Sequence, residues 1–219
     1  MALGGPGLRL AAVFLTAACA APAPAPTSGE GAPWRDLLDP RLRPAWEPIP
    51  YGGEGRVRFL PEGLILEPGS PLTGLRWKEE GLPEPPYEME VVAARLQGTD
   101  FFCGLTFPAG GGRALTLVLG GWGGSLCGLS NLDHLDASAN ETTRFLSFEE
   151  GRDYRLRLQV LPDRIRAELE GRELFEAVTA GRHLSLRPEV EASRPLGISA
   201  YATRARIRRI AWRPLAPGT

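Results

Sequence analysis

Lysine is almost missing from this chain: Lys78 stands alone, so the positive charge rests on arginines, and 25 Lys+Arg face 26 Asp+Glu. Those arginines are spread among the acidic residues and form no basic stripe, which argues against a nucleic-acid partner. Histidine is as scarce. His134 and His183 are the only two, and neither has Cys or His partners at zinc spacing, so a histidine-rich metal centre is not expected. No Gly-x-Ser-x-Gly elbow occurs, which leaves a Ser-His-Asp hydrolase unsupported. No twelve-residue window holds a helical stripe free of Gly or Pro, and the chain shows no internal repeat. The apolar run from Leu10 to Ala18 is too short to cross a bilayer.

That run makes sense as an export signal. Arg9 precedes it and small residues end it, as processing requires. Thr16-Ala17-Ala18-Cys19 resembles a bacterial lipobox, with Thr16 in place of the usual leucine, so residues 1–19 imply lipidation at Cys19 or, alternatively, plain secretion. The only membrane attachment expected is this lipid anchor, which makes the chain a periplasmic or cell-envelope lipoprotein or otherwise a secreted one. Residues 20–33 alternate Ala and Pro before turning to Gly, Ser and Thr, a composition that holds a chain extended as a semi-rigid spacer.

From Trp34 the pattern changes to short alternating runs between Gly and Pro. Arg56–Phe59, Leu64–Leu66, Gly74–Trp77, Tyr87–Leu96, Phe101–Phe107, Ala114–Leu119 and Ser125–Leu129 read as strands. The clearest signal follows. Tyr154, Leu156, Leu158 and Val160 alternate with Arg155, Arg157 and Gln159, and the alternation resumes after Leu161-Pro162-Asp163 with Ile165, Ala167 and Leu169. Glu173–Val178, Gly197–Tyr201 and Ala205–Trp212 complete the set, with a bulge expected where the apolar phase slips between Ile207 and Ile210. A dozen short strands with turn chemistry between them predict one all-β domain over 34–215, an antiparallel β-sandwich of jelly-roll type.

Several motifs carry a family resemblance. Trp34-Arg35-Asp36-Leu37-Leu38-Asp39 followed by Trp46 resembles the LFDG…W opening of bacterial 3-keto-disaccharide hydrolase domains. DFFCGLTFP at 100–108, GGWGG at 120–124, NETTRF at 140–145 and RPEVEASRPLGI at 187–198 are similar to a secreted branch of that family, and the likeness covers residues 34–213. The resemblance implies a concanavalin A-like jelly roll and a carbohydrate ligand. It also implies elimination or hydrolysis at glycosides oxidised at the third sugar carbon, with hydration of the resulting glucal. The chain departs from the better-known branches, which carry a GAIYD-like strand and a WN pair; Gly120 to Gly124 and Arg152-Asp153-Tyr154 stand there instead. Fold therefore transfers more safely than activity.

Such an elimination needs a base, a group to hold the enolate oxygen and an acid for the leaving group. The acidic loop offers them: His134 and Glu141 as proton-transfer groups, Arg144 as positive charge, and Asp133, Asp136 and Asn140 around them. The bland alternative is a turn that Asp133 and Asp136 cap and solvate, with Leu132 and Leu135 pinning it to the core. Calcium held by carboxylates and carbonyls stays open as a cofactor, although the loop lacks EF-hand spacing. Asn140-Glu141-Thr142 matches a glycosylation acceptor by accident. Trp122, between paired glycines, is either a core plug or an exposed platform for a sugar ring. Arg187, Glu189 and Arg194 build either a network over a site or a surface ion-pair group. Asp100 is read as a turn residue opening a strand, with binding of an arginine or a ligand as the lesser alternative. Cys103 and Cys127 would sit on strands separated by a third, beyond disulfide reach, and are expected as buried free thiols. Three functions are thus carried forward: a glycoside-cleaving enzyme, a non-catalytic carbohydrate-binding module, and a structural envelope domain.

Overall fold

The computed structural model describes Met1 and residues 32–216. The export signal, Cys19 and the spacer up to residue 31 lie outside the described residues. Fifteen strands follow in the described part. They are β1 (Arg35–Asp36), β2 (Trp46–Pro48), β3 (Val57–Leu60), β4 (Gly63–Leu66), β5 (Leu72–Trp77), β6 (Tyr87–Gln97), β7 (Cys103–Gly110) and β8 (Arg113–Gly121). After them come β9 (Leu126–Ser130), β10 (Arg144–Phe145), β11 (Tyr154–Val160), β12 (Arg164–Leu169), β13 (Arg172–Val178), β14 (Gly197–Tyr201) and β15 (Arg204–Pro214).

They form two antiparallel sheets packed as a concanavalin-like jelly-roll sandwich. One has the order β13-β12-β11-β6-β15-β4-β3 with β1 added beside β15; the other runs β10-β9-β8-β7-β14-β5-β2. Alternation decides what lies between them. Leu115, Leu117 and Leu119 of β8 point inward with Cys103, Leu105 and Phe107 of β7, facing Met89, Val91 and Ala93 of β6 and the inward leucines of β11. The register of β15 against β6 shifts between Ile207 and Arg209, the bulge that the broken apolar phase predicts.

The seven-stranded sheet is covered on its outer face as well. Its outward positions are small: Gly104 and Thr106 on β7, Thr116 on β8, Gly128 and Ser130 on β9, Ser199 on β14. Small side chains let polypeptide lie directly on the sheet. A Cβ on Gly128 would stand 3.1 Å from the Ala137 carbonyl oxygen, and one on Gly197 2.7 Å from that of Ser193, so neither position has room for a larger residue. The segment over Gly197 is a 3-10 helix, Pro188–Ser193. It adds Val190 to a second apolar cluster with Leu72, Ala114 and Leu186.

The segment over Gly128 is the loop between β9 and β10, and Asn140 is its hub. The Asn140 amide donates to the carbonyls of Leu129 (2.8 Å), Leu135 (3.2 Å) and Asp136 (2.8 Å). Its oxygen accepts from the Thr142 backbone N–H (3.0 Å) and hydroxyl (2.6 Å). At 9% exposure these groups have little access to water. Asn140→Ala should therefore destabilise the fold by about 1–3 kcal/mol, since it orphans buried carbonyls. Amide hydrogen exchange should accelerate first between residues 132 and 143; uniform acceleration across the sandwich would count against a local hub.

Cys103 and Cys127 are free and buried. Both pair in register with Leu119 of the intervening β8, which keeps them apart. Burial pushes the Cys103 thiol up to about 12 and that of Cys127 up to about 11. An unfolded thiol ionises near about 8.5. The native state thus holds these protons more tightly, and the associated stability is present below that value and lost as pH climbs toward the native values. Ellman's reagent should modify neither thiol in the folded protein at pH 8 and both after denaturation. The fall in stability between pH 8 and 10 should be shallower in Cys103→Ala than in the parent; an equally steep fall would refute the linkage.

Candidate functional site

On the outer face of the seven-stranded sheet, beside the 3-10 helix, a cleft of about 540 Å³ remains open. Thr116, Val118 and Ser130 line its floor from β8 and β9. Trp122, Phe101 and Tyr201 line it as well, joined by Tyr51 from the connection between β2 and β3 and by Arg187 and Glu189 from the start of the 3-10 helix. Local chemistry places the rings. Phe101 and Phe102 precede β7 and part company: Phe102 is buried in the core, and Phe101 packs against the second apolar cluster with its ring 5.8 Å from Tyr201. The Tyr51 hydroxyl hydrogen-bonds the Ser193 hydroxyl at 2.9 Å and so ties the cleft wall to the 3-10 helix.

Trp122 occupies the turn between β8 and β9 with φ +48°, a left-handed conformation unusual for a bulky side chain, and it is 44% exposed. The Gly124 amide closes the turn on the Gly121 carbonyl at 3.2 Å. At that exposure the Trp122 ring is not a core plug. The Arg187 guanidinium lies 6.0 Å from its ring centroid.

Arg187 is held between two carboxylates. Its Nη1 donates to Asp136 Oδ2 (2.8 Å), Nη2 to Glu189 Oε1 (3.0 Å) and Nε to Glu189 Oε2 (3.3 Å). The guanidinium holds the Glu189 carboxyl below its usual range. Asp136 links the loop to the cleft wall in this way without lining the cleft itself. Asp100 lines the cleft too. It does open the strand as a turn residue, because its Oδ1 accepts the Phe101 backbone N–H at 2.7 Å.

The remaining sequence candidates stand elsewhere. Asp133 and His134 form a tight turn with φ +49° and +68°, closed by mutual backbone bonds between Leu132 and Leu135. Leu132 is buried and pins the turn; Leu135 does not share that role, being 46% exposed. The Asp133 carboxylate accepts the His183 backbone N–H (2.8 Å) and Arg182 Nε (2.8 Å), and those two bonds lower its pKa. Arg182 also engages Glu141, and that contact lowers the Glu141 pKa. His134 stacks on His183 with centroids 4.2 Å apart. Arg144 donates to the carbonyls of Glu141 (3.0 Å) and Thr143 (2.8 Å). None of these four lines the cleft. Arg194 pairs with Glu191 and borders a second depression beside Lys78 and Glu84. Among the described residues no three His, Cys, Asp or Glu side chains gather as metal ligands. Asn140, the glycosylation-like asparagine, has its amide committed to the loop carbonyls.

Tyr51, Phe101 and Tyr201 line the cleft without being among the residues that the sequence motifs single out for a site. The signal for Tyr201 was present, because it occupies the outward phase of a strand whose inward residues are Ile198 and Ala200.

No family model matches the chain, and no curated protein sequence matches it as a relative. Solved structures do match. The carbohydrate-binding module CBM66 from Bacillus subtilis is 12% identical with a TM-score of 0.51, over 77% of this chain and 95% of the module. A protein of unknown function with a galectin-like fold from Bacillus subtilis is 13% identical, with a TM-score of 0.57 over 82% and 94% of the two chains. The Crh5 transglycosylase is 9% identical, with a TM-score of 0.56 over 84% of each. At such identities the likeness shows fold: this chain has the sandwich shared by galectin-like, carbohydrate-binding and glycosyl-transferring proteins.

Proposed function

We propose that the cleft on the seven-stranded sheet binds carbohydrate and that the domain acts as an exported glycan-binding module. The observation that carries this reading is Trp122, presented at 44% exposure beside a concave site floored by hydroxyls. A left-handed backbone at a bulky residue costs roughly 1–2 kcal/mol, and such strain concentrates at sites where it serves binding. Sugar rings present C–H faces that pack on an aromatic platform, while the exposed Tyr201 supplies a hydroxyl at the edge. Folds shared with a carbohydrate-binding module and a transglycosylase support a carbohydrate ligand. The signal-like residues 1–19 support a place in the cell envelope, by lipidation at Cys19 or as a secreted protein.

A second reading keeps the elimination chemistry of the 3-keto-disaccharide hydrolase family that the sequence resembles. It is favoured by the presence of a carboxylate, Asp100, and a guanidinium, Arg187, within one cleft. Turnover of 3-keto-glucosides by the purified domain, with and without calcium, would establish it; binding without turnover leaves the module.

Glycan-array binding followed by calorimetry tests the first reading. Trp122→Ala should weaken the best ligand about tenfold, because an aromatic contact contributes about 0.5–1.5 kcal/mol. Unchanged affinity in that variant would remove the cleft as the binding surface.

A further inference from the structure

Asp100 differs from the other carboxylates around the cleft in having no cationic partner. Asp136 and Glu189 both hold Arg187, whose three nitrogens are all committed to them. Among the described residues Asp100 makes no ion pair. Its backbone is fixed instead: the Thr203 hydroxyl accepts from the Asp100 N–H at 3.2 Å and donates to its carbonyl at 3.1 Å. One carboxylate oxygen accepts the Phe101 N–H at 2.7 Å, and the other receives only a long contact of 3.4 Å from the Gly123 N–H. A carboxylate has about four acceptor positions, so Asp100 retains acceptor capacity in the cleft. That Gly123 contact also sets the carboxylate beside the Trp122 turn, where a ring stacked on the indole would present its edge hydroxyls.

We infer that Asp100 determines ligand choice in this cleft, by accepting hydrogen bonds from neighbouring hydroxyls of an uncharged sugar and by repelling sugars that carry a carboxylate. The inference rests on the carbohydrate-binding reading and makes it more specific. Hydroxyl donors gain from a charged acceptor, since charge-assisted bonds are roughly twice as strong as neutral ones. A uronate offers the same ring hydroxyls but adds a carboxylate of its own, which the Asp100 charge opposes. The lining holds two carboxylates, Asp100 and Glu189, against one guanidinium already engaged by Glu189 and by Asp136 beyond the cleft. A uronate would meet negative charge with no free cation to receive it.

The probes are matched oligosaccharide pairs that differ only at the sixth sugar carbon: glucose and glucuronate, galactose and galacturonate, mannose and mannuronate. The parent protein should bind the neutral member of a pair at least tenfold more tightly than the uronate. Raising salt from 20 to 500 mM should narrow that gap by screening the repulsion, a readout that needs no variant. Asp100→Asn retains an acceptor for the Phe101 N–H; it should weaken the neutral ligand about tenfold and bring the two members of the pair together. Equal affinity for both members in the parent protein would overturn the inference while leaving the cleft reading in place. So would an Asp100→Asn variant that binds both members more weakly at an unchanged ratio, because Asp100 would then merely position the Trp122 turn. If the parent binds no member of any pair, the carbohydrate reading itself fails and takes this inference with it.

Discussion

The cleft depends on the sheet beneath it carrying mostly small side chains where polypeptide lies on its outer face. Gly104, Thr106, Thr116, Gly128, Ser130, Gly197 and Ser199 replace the large residues that a free-standing sheet face would carry. With the backbone so close to the surface, the Asn140 loop and the 188–193 helix pack directly on the strands. The coverings leave part of the sheet face bare, and that uncovered strip becomes a concavity. Its floor is polar for the same reason, because Thr and Ser are the residues small enough to serve while still offering a hydroxyl. The Thr106 and Thr116 hydroxyls bond to each other across the strands at 2.9 Å, which satisfies them where the floor is dry.

The opposite outer face is closed by charge rather than by loops. Glu88 and Glu90 of β6 point away from the core yet are only 2% and 5% exposed, because arginines from the flanking strands lie over them. Arg155, Arg157 and Arg209 converge on Glu90, and Arg213 with Gln159 on Glu88. Arg209 and Arg213 also approach the Trp34 ring, at 5.8 and 4.6 Å. Arginine suits this layer because its planar, multi-donor head can stack on a ring while its edge pairs with a carboxylate, a geometry that a lysine's compact ammonium matches less well.

This division explains what could be read from the sequence. Strands β11 and β12 face the core on one side and the charged layer on the other, so their residues alternate apolar and polar and their limits were legible nearly to the residue. Strands β7 and β8 are buried on both faces, and periodicity there is one of size instead of polarity: Leu115, Leu117 and Leu119 inward, Ala114, Thr116 and Val118 outward. Two-residue strands such as β1 and β10 carry no period at all and went unread. In the site, Trp122 was legible from its flanking glycines, and Arg187 and Glu189 from their place in a proline-broken stretch. Tyr51 and Tyr201 were not, because they lie 150 residues apart and only the sheet order brings them to one cleft.

The acidic loop shows why a cluster of ionisable residues in sequence is a weak guide to chemistry. A general base must be free to take a proton and near the one it takes. Glu141 is bound to Arg182, which lowers its proton affinity, and the same guanidinium engages Asp133. The histidines spend their faces on each other, and Arg144 donates to its own loop. Each group is accounted for by the work of holding a loop with two left-handed residues, Asp133 and His134, against a sheet. Asp100 shows the converse. Its sequence context is that of an ordinary turn aspartate, and it performs that task with one oxygen. What separates it from the loop carboxylates is the lack of a partner cation, a property fixed by three-dimensional neighbours and invisible in the chain.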